Sequence, residues 1–221
     1  MSELKLVIGN KNYSSWSLRP WLAMKVAGIA FTEERIPLYG PGSKEKILAF
    51  SAAGKVPCLV DGETRVWDSL AICEYLAEKD PGLWPRDSTA RAVARSVSAE
   101  MHSGFQNLRT HMSMNIRKRY PGKGRTPEVL AEIARIAGMW SECRARYGAQ
   151  YGAQGPFLFG HFSIADAMYA PVVLRFRTYE VELPPGCRGY ADTILALPAL
   201  QDWMAAAVTE TESLAQFEMY G

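Results

Sequence analysis

The chain has 221 residues, 48% hydrophobic and 22% charged, a globular composition that excludes a disordered chain and suits two small domains. Its 25 Lys and Arg against 23 Asp and Glu leave a net charge of +2, which argues against a nucleic-acid partner held by a basic surface. No run approaches the ~18–20 apolar residues that span a bilayer, so no membrane partner is expected. The opening residues, Met1-Ser2-Glu3-Leu4-Lys5-Leu6-Val7-Ile8, carry no cleavable signal pattern. Cys58, Cys73, Cys143 and Cys187 make neither a CxxC pair nor a disulfide framework, and His102, His111 and His161 are scattered. The expectation is a reduced, cytoplasmic protein without a metal.

In chain order, residues 4–8 are a short apolar run ended by Gly9-Asn10 and read as a buried strand. Residues 18–27 read as a helix, with Pro20 in its first turn and Gly28 closing it. Residues 31–38 are extended in character and residues 44–50 form a short helix. The runs 56–60 and 64–67 flank Asp61-Gly62, a strong hairpin signal. Residues 68–79 return to helix, with Leu70, Cys73, Leu76 and Ala77 on one face. The order β-α-β-α-β-β-α predicts an α/β domain over residues 1–80, its sheet containing one antiparallel pair.

Beyond Asp80-Pro81-Gly82 the character changes, and residues 81–89, with Pro81 and Pro85, read as a linker. Ala90, Val93, Val97, Met101, Phe105, Leu108 and Met112 recur every three or four positions and predict one long amphipathic helix. Residues 128–147, 163–179 and 198–208 continue the helical pattern, so residues 90–221 are expected to form an all-α second domain. The tandem Tyr147-Gly148-Ala149-Gln150-Tyr151-Gly152-Ala153-Gln154 reads as a loop lengthened by duplication, with no function implied.

Three segments could carry chemistry. Ser14, Ser15 and Ser17 surround Trp16 at the start of the first helix, where free amides and the helix dipole favour an anion and a hydroxyl could donate to a thiolate. Simple capping by the serines explains the same spacing. Pro57, in Gly54-Lys55-Val56-Pro57, enters a strand that should be central. A cis Val56-Pro57 bond would leave the Val56 backbone free to pair with an extended peptide, and an edge-strand proline is the alternative. Asp68 and Ser69 open a helix and could hold a carboxylate or an ammonium group, or could merely cap it. Arg175 and Arg177 bracket Phe176. A salt bridge is the expected role for them, with a carboxylated substrate as the alternative.

Taken in order, the serine turn, Lys55-Val56-Pro57, Asp68-Ser69-Leu70-Ala71-Ile72-Cys73-Glu74-Tyr75-Leu76, Leu83-Trp84-Pro85 and Phe162-Ser163-Ile164-Ala165-Asp166 resemble the cytosolic glutathione transferases along nearly the whole chain. That resemblance implies a thioredoxin-like α/β domain followed by an all-α helical domain, with Ser163 and Asp166 forming a buried capping box. Ser14-Ser15-Trp16-Ser17-Leu18-Arg19 is similar to the zeta-like pattern Ser-Ser-Cys-Ser-Trp-Arg, which implies Ser14, with Ser15 close behind, as the thiolate-stabilising hydroxyl. Lys55, Val56 and Pro57 would then meet glutathione, Val56 holding its cysteinyl backbone, while Asp68 and Ser69 hold its γ-glutamyl end. Trp16, His102 and Phe105 would face the pocket of a small hydrophobic electrophile. The resemblance further implies a detoxifying homodimer with glutathione as co-substrate and no metal. Trp16 stands where zeta-like proteins carry Cys, which argues against cis–trans isomerisation of maleyl compounds. Other readings of the same fold are a non-catalytic glutathione-binding or interaction module, or a glutathione-dependent isomerase or peroxidase.

Overall fold

The computed structural model describes residues 3–148 and 155–221. In β1 (Lys5–Ile8) side chains alternate between two faces: Leu6 and Ile8 join the main core, and Val7 enters a smaller cluster behind the sheet. β1 pairs in parallel with β2 (Thr32–Arg35) and antiparallel with β3 (Cys58–Asp61), Leu6 lying opposite Leu59. β4 (Thr64–Trp67) follows β3 antiparallel, completing the sheet order β2-β1-β3-β4. Because Asp61 pairs with Thr64, the hairpin turn is Gly62-Glu63, one position later than the sequence suggests, and Gly62 takes the left-handed φ of 58°. The helices α1 (Ser15–Val26) and α3 (Ser69–Lys79) contribute to the main core, and α2 (Ser43–Leu48) sends Ile47 to the cluster behind the sheet.

The helical part comprises α4 (Ser88–Ser103), α5 (Gln106–His111), α6 (Pro127–Tyr147), α7 (Ile164–Tyr179), α8 (Pro185–Leu195) and α9 (Pro198–Thr209). A 3₁₀ turn at Pro81–Leu83 leads into it. Beyond β4 the described residues hold only isolated bridges, Phe157 with Gly160 and Phe159 with His161. α1 packs against α7 as well as α3, which explains why Leu18, Trp21, Leu22 and Met24 are all buried. The α/β part and the helices thus share one hydrophobic core.

Three expectations need correction. The first helix begins at Ser15 rather than residue 18, so Pro20 lies in its second turn and removes one intrahelical bond. The long helix predicted through Met112 breaks after Ser103: Gly104 is extended, Phe105 is left-handed at φ 58°, and α5 starts afresh. A Cβ on Gly104 would sit 2.8 Å from the Glu100 carbonyl oxygen, so the break needs glycine although apolar periodicity runs on through it. α8 lies between residues 179 and 198, a stretch of the expected all-α part to which the sequence analysis assigned no helix. Residues 149–154 of the tandem repeat lie outside the described residues.

At the start of α7 the buried Asp166 carboxylate accepts hydrogen bonds from the Ser163 amide (2.8 Å), the Ser163 hydroxyl (3.1 Å) and the Leu158 amide (3.1 Å). Burial nevertheless pushes its pKa up to about 6, although those hydrogen bonds pull it down. Asp166→Ala would strand two buried amides and is expected to cost about 3 kcal/mol, read as a lower urea midpoint with an unchanged slope. A carboxyl whose folded pKa is raised favours the folded state below its unfolded value, and that contribution is lost as pH rises. Asp166→Asn should therefore remove a component of stability that declines between about pH 4 and pH 6.

Candidate active site

A cleft of about 950 Å³ opens where the turn after β1, the start of α3 and the helical part meet. It is lined by Ser14, Ser15, Trp16, Lys55, Val56, Pro57, Asp68, Ser69 and His102, so the structure brings nearly all the residues singled out in the sequence to one place. Phe105 is the exception: it does not line the cleft and lies buried in the core at the α4–α5 break. The Val56-Pro57 bond is cis, and Val56 lies just before the residues of β3 that pair with β1.

The two serines differ in what their hydroxyls already do. Ser14 immediately precedes α1 without a side-chain capping bond, and its hydroxyl donates to Ser17 Oγ at 2.7 Å. Ser17 Oγ also accepts the Gly9 amide at 3.1 Å, so this chain of hydroxyls ties the turn to the end of β1. Ser15 Oγ instead accepts from Arg175 Nη2 at 3.2 Å. A hydroxyl that accepts from a guanidinium keeps its own proton to give, and donates it more strongly. Tyr13 also lines the cleft, but its hydroxyl donates to Glu218 (2.5 Å) and accepts from Arg117 (2.8 Å) and the Leu214 amide (3.3 Å). That leaves the serines to meet a ligand.

Three guanidinium groups surround the turn. Arg19 is buried, donates to Ser69 Oγ at 3.3 Å, and lies over the Trp16 ring with its carbon 4.3 Å from the centroid. Arg109 lies 4.7 Å from the same ring and donates to the carbonyls of Met101, His102 and Gly104, satisfying the open C-terminal end of α4. Arg175 is buried and, besides Ser15, donates to the Met112 carbonyl. None of the three belongs to an ion pair among the described residues. Burial first, then repulsion from the other guanidiniums, lowers Arg19 to about 9 and Arg175 to about 10. The salt bridge expected for Arg175 is therefore absent, and Arg177 reaches Met204 Sδ rather than a carboxylate. The sequence carried a signal for this. Arg109 and Arg175 have no acidic residue three or four positions away, and Arg175 sits on a helix that is otherwise apolar around it.

Asp68 adopts φ 73° and caps α3, Oδ1 accepting from the Leu70 (2.9 Å) and Ala71 (3.3 Å) amides. Its other oxygen lies 3.1 Å from His102 Nε2. His102 meets the edge of Trp16 with the ring centroids 5.3 Å apart, and its Nδ1 is buried without a hydrogen-bond partner. Burial lowers the His102 pKa below its ordinary value, and Asp68 opposes that shift. The residues present thus offer a basic, hydroxyl-lined floor, an aromatic wall and one carboxylate at the α3 end. Such a site suits an elongated, mostly anionic ligand.

Residues 13–79 match the family model described as glutathione S-transferase, N-terminal domain, and residues 124–206 match glutathione S-transferase, C-terminal domain. The chain is 31% identical to the maleylacetoacetate isomerase of Rattus norvegicus over 178 residues, which cover 77% of each chain. It is 36% identical to a probable maleylacetoacetate isomerase of Caenorhabditis elegans over 111 residues, 49% of this chain and about half (51%) of that protein. In fold it is similar to the theta class glutathione S-transferase of Xanthomonas axonopodis pv. citri, with a TM-score of 0.64 and 23% identity over 95% of this chain and 100% of that one. The chain belongs to the glutathione S-transferase family.

A proton titration followed by NMR should give His102 a pKa below the usual ~6.5. Asp68→Asn should lower it further, because the carboxylate supplies the contribution that raises it. A His102 value above 6.5 would contradict the geometry described.

Proposed function

We propose that the protein binds glutathione along Val56 and the Asp68–Ser69 corner, holds its thiolate at Ser15 and Ser14, and directs it at a small electrophile that carries a carboxylate. The observation that supports this most is the Arg175–Ser15 hydrogen bond, a polarised hydroxyl beside buried guanidiniums that have no carboxylate partner among the described residues. The Xanthomonas neighbour holds glutathione, and the names of the rat and nematode relatives put an acetoacetate, itself a carboxylate, in the electrophile's place.

A free thiol titrates near ~8.5, so lowering it by about 2 units needs about 2.7 kcal/mol of preference for the thiolate. A charge-assisted hydrogen bond from Ser15, the N-terminus of α1 and the field of three guanidiniums together reach that amount. The serine supplies a proton to the hydrogen bond and keeps it, acting as neither nucleophile nor base. In transfer, the sulfur forms a bond to the electrophilic carbon and the leaving group departs with its electron pair. In isomerisation, the sulfur adds to a conjugated double bond, rotation follows about the resulting single bond, and elimination returns glutathione unchanged. Both routes raise negative charge on the electrophile, which Arg175 and Arg109 stabilise. Trp16 and Met114 offer apolar surface for the rest of the molecule. By family resemblance, the protein is further taken as a cytoplasmic homodimer acting in detoxification.

Titration of the ultraviolet thiolate absorbance of bound glutathione tests this reading. The unmodified protein should show saturable binding and a thiol pKa well below the free value; no binding sinks the proposal. Ser15→Ala should raise the bound thiol pKa and lower kcat by about 10- to 100-fold at neutral pH, the range for a hydrogen bond to a charged group. Ser14→Ala, whose hydroxyl is engaged with Ser17, should cost less, and the reverse order would reassign the donor. Arg175→Ala should reduce kcat/KM for a carboxylated electrophile by about 100-fold, and more than for an uncharged one.

A further inference from the structure

The turn after β1 leaves the sheet at Ile8 and must find partners for its own amides. Most are satisfied nearby: Gly9 donates to Ser17 Oγ, Tyr13 and Ser14 donate to the Asn10 carbonyl, and Ser15 donates to the Tyr13 carbonyl. The amides of Lys11 and Asn12 go instead to a single carboxylate far along the chain. Glu210 Oε1 accepts from Lys11 at 2.6 Å and Oε2 accepts from Asn12 at 3.0 Å. This is a backbone fork of the kind that binds anions, and here the chain supplies the anion itself.

Glu210 is held in turn. Its side chain is only 6% exposed, and Arg35 lies 3.5 Å away while also pairing with Glu212 at 2.9 Å. Arg117 donates to the backbone carbonyls of Glu210 and Glu212 and to the Tyr13 hydroxyl. Lys11, the remaining nearby cation, sends its ammonium to Glu33 at 2.9 Å. Around the same turn, Asn12 Oδ1 accepts from the Ile116 and Arg117 amides, and Trp203 donates to the Lys11 carbonyl. Two residues past Asn12 stands Ser14, and next to it Ser15. The position of both hydroxyls depends on the path of this turn.

We propose that Glu210 is a positioning residue for the reaction: its carboxylate, bridging the Lys11 and Asn12 amides, sets where the Ser14 and Ser15 hydroxyls stand relative to the bound thiol. The inference rests on the glutathione-thiolate reading above. It makes the segment after α9 part of the active site, although it touches no reacting atom. The carboxylate gives each amide an oxygen of its own. Glu210→Gln keeps one oxygen but turns an NH₂ group against the other amide, and Glu210→Asp keeps the charge while withdrawing it by one methylene.

The full chain and its Glu210→Gln, Glu210→Asp and Arg35→Gln variants are compared by the thiolate absorbance of bound glutathione across pH and by the pH dependence of kcat. Glu210→Gln is expected to raise the bound thiol pKa by about one unit, from about 6.5 to about 7.5, which is about threefold less thiolate at pH 7. The matching loss of kcat should close at alkaline pH, where the thiolate forms unaided, with the KM for glutathione little changed. Glu210→Asp should shift the pKa the same way by less, and decides the matter if Glu210→Gln does not fold. Arg35→Gln removes the ion pair and leaves both amide bonds, so it should leave the thiol pKa unchanged. In the unmodified protein the Lys11 and Asn12 amides should exchange with solvent as slowly as those of β1. An unchanged thiol pKa in a folded Glu210 variant overturns the inference alone. So does an equal shift from Arg35→Gln, or exchange of those two amides at the rate of an open loop. Failure of the unmodified protein to bind glutathione overturns the functional reading, and this inference with it.

Discussion

Burying a guanidinium without a carboxylate is costly, because the charge loses its water and gains only neutral hydrogen-bond acceptors in return. Around one cleft this protein buries Arg19 and Arg175, half-buries Arg109, and pairs none of them with an acid among the described residues. The arrangement makes sense as half of an interaction whose other half is a ligand. Arg109 and Arg175 weaken Arg19's hold on its proton, Arg109 does the same to Arg175, and an anion in the cleft would oppose that repulsion. Much else in the site follows from this excess of positive charge. Trp16 lies close to two of the cations, Ser15 is polarised by the third, and Ser69 receives a donor from the first.

The three cations come from very different parts of the chain, and distinct local devices aim each one. Arg19 is carried by α1, whose burial between α3 and α7 leaves its side chain no route to solvent. Arg109 is aimed by the break between α4 and α5. A continuous helix would have kept those α4 carbonyls bonded within itself, whereas the break frees carbonyls at the end of α4 for the guanidinium to cap. Arg175 lies on α7, anchored at its start by the Ser163–Asp166 bonds and at the arginine by the Met112 carbonyl. The helical part is thus more than a wall beside the α/β part, since it supplies two of the three charges.

Much of the fold was legible because its determinants are local. The alternation of Leu6, Val7 and Ile8, the Gly62 turn, the capping Asp68 and the 3.6-residue periodicity of α4 and α6 each act over a few residues. That the serine turn, Val56-Pro57 and Asp68-Ser69 share one site was implied only by the family resemblance that their order carries. Where local reasoning failed, a competing local signal concealed the answer. Apolar spacing runs straight through Gly104 and Phe105, and Pro184, Pro185, Gly186 and Gly189 interrupt the helical pattern around the start of α8 although Pro185 sits comfortably in a first turn.

By itself the sequence determined a two-part chain: a small α/β sheet followed by helices, with a hydroxyl-rich turn, a proline at a strand entrance and a helix N-terminus as its candidate chemistry. It did so because hydrophobic period, turn chemistry and capping are readable from near neighbours. Only the tertiary structure decided that Phe105 belongs to the core, that Arg175 meets Ser15 rather than an acid, and that Glu210 grips the Lys11 and Asn12 amides. Those contacts join residues 160 to 199 positions apart. Nothing in the spacing of a charged residue specifies its partner at that distance, since the packing of α7 and α9 against α1 brings them within reach.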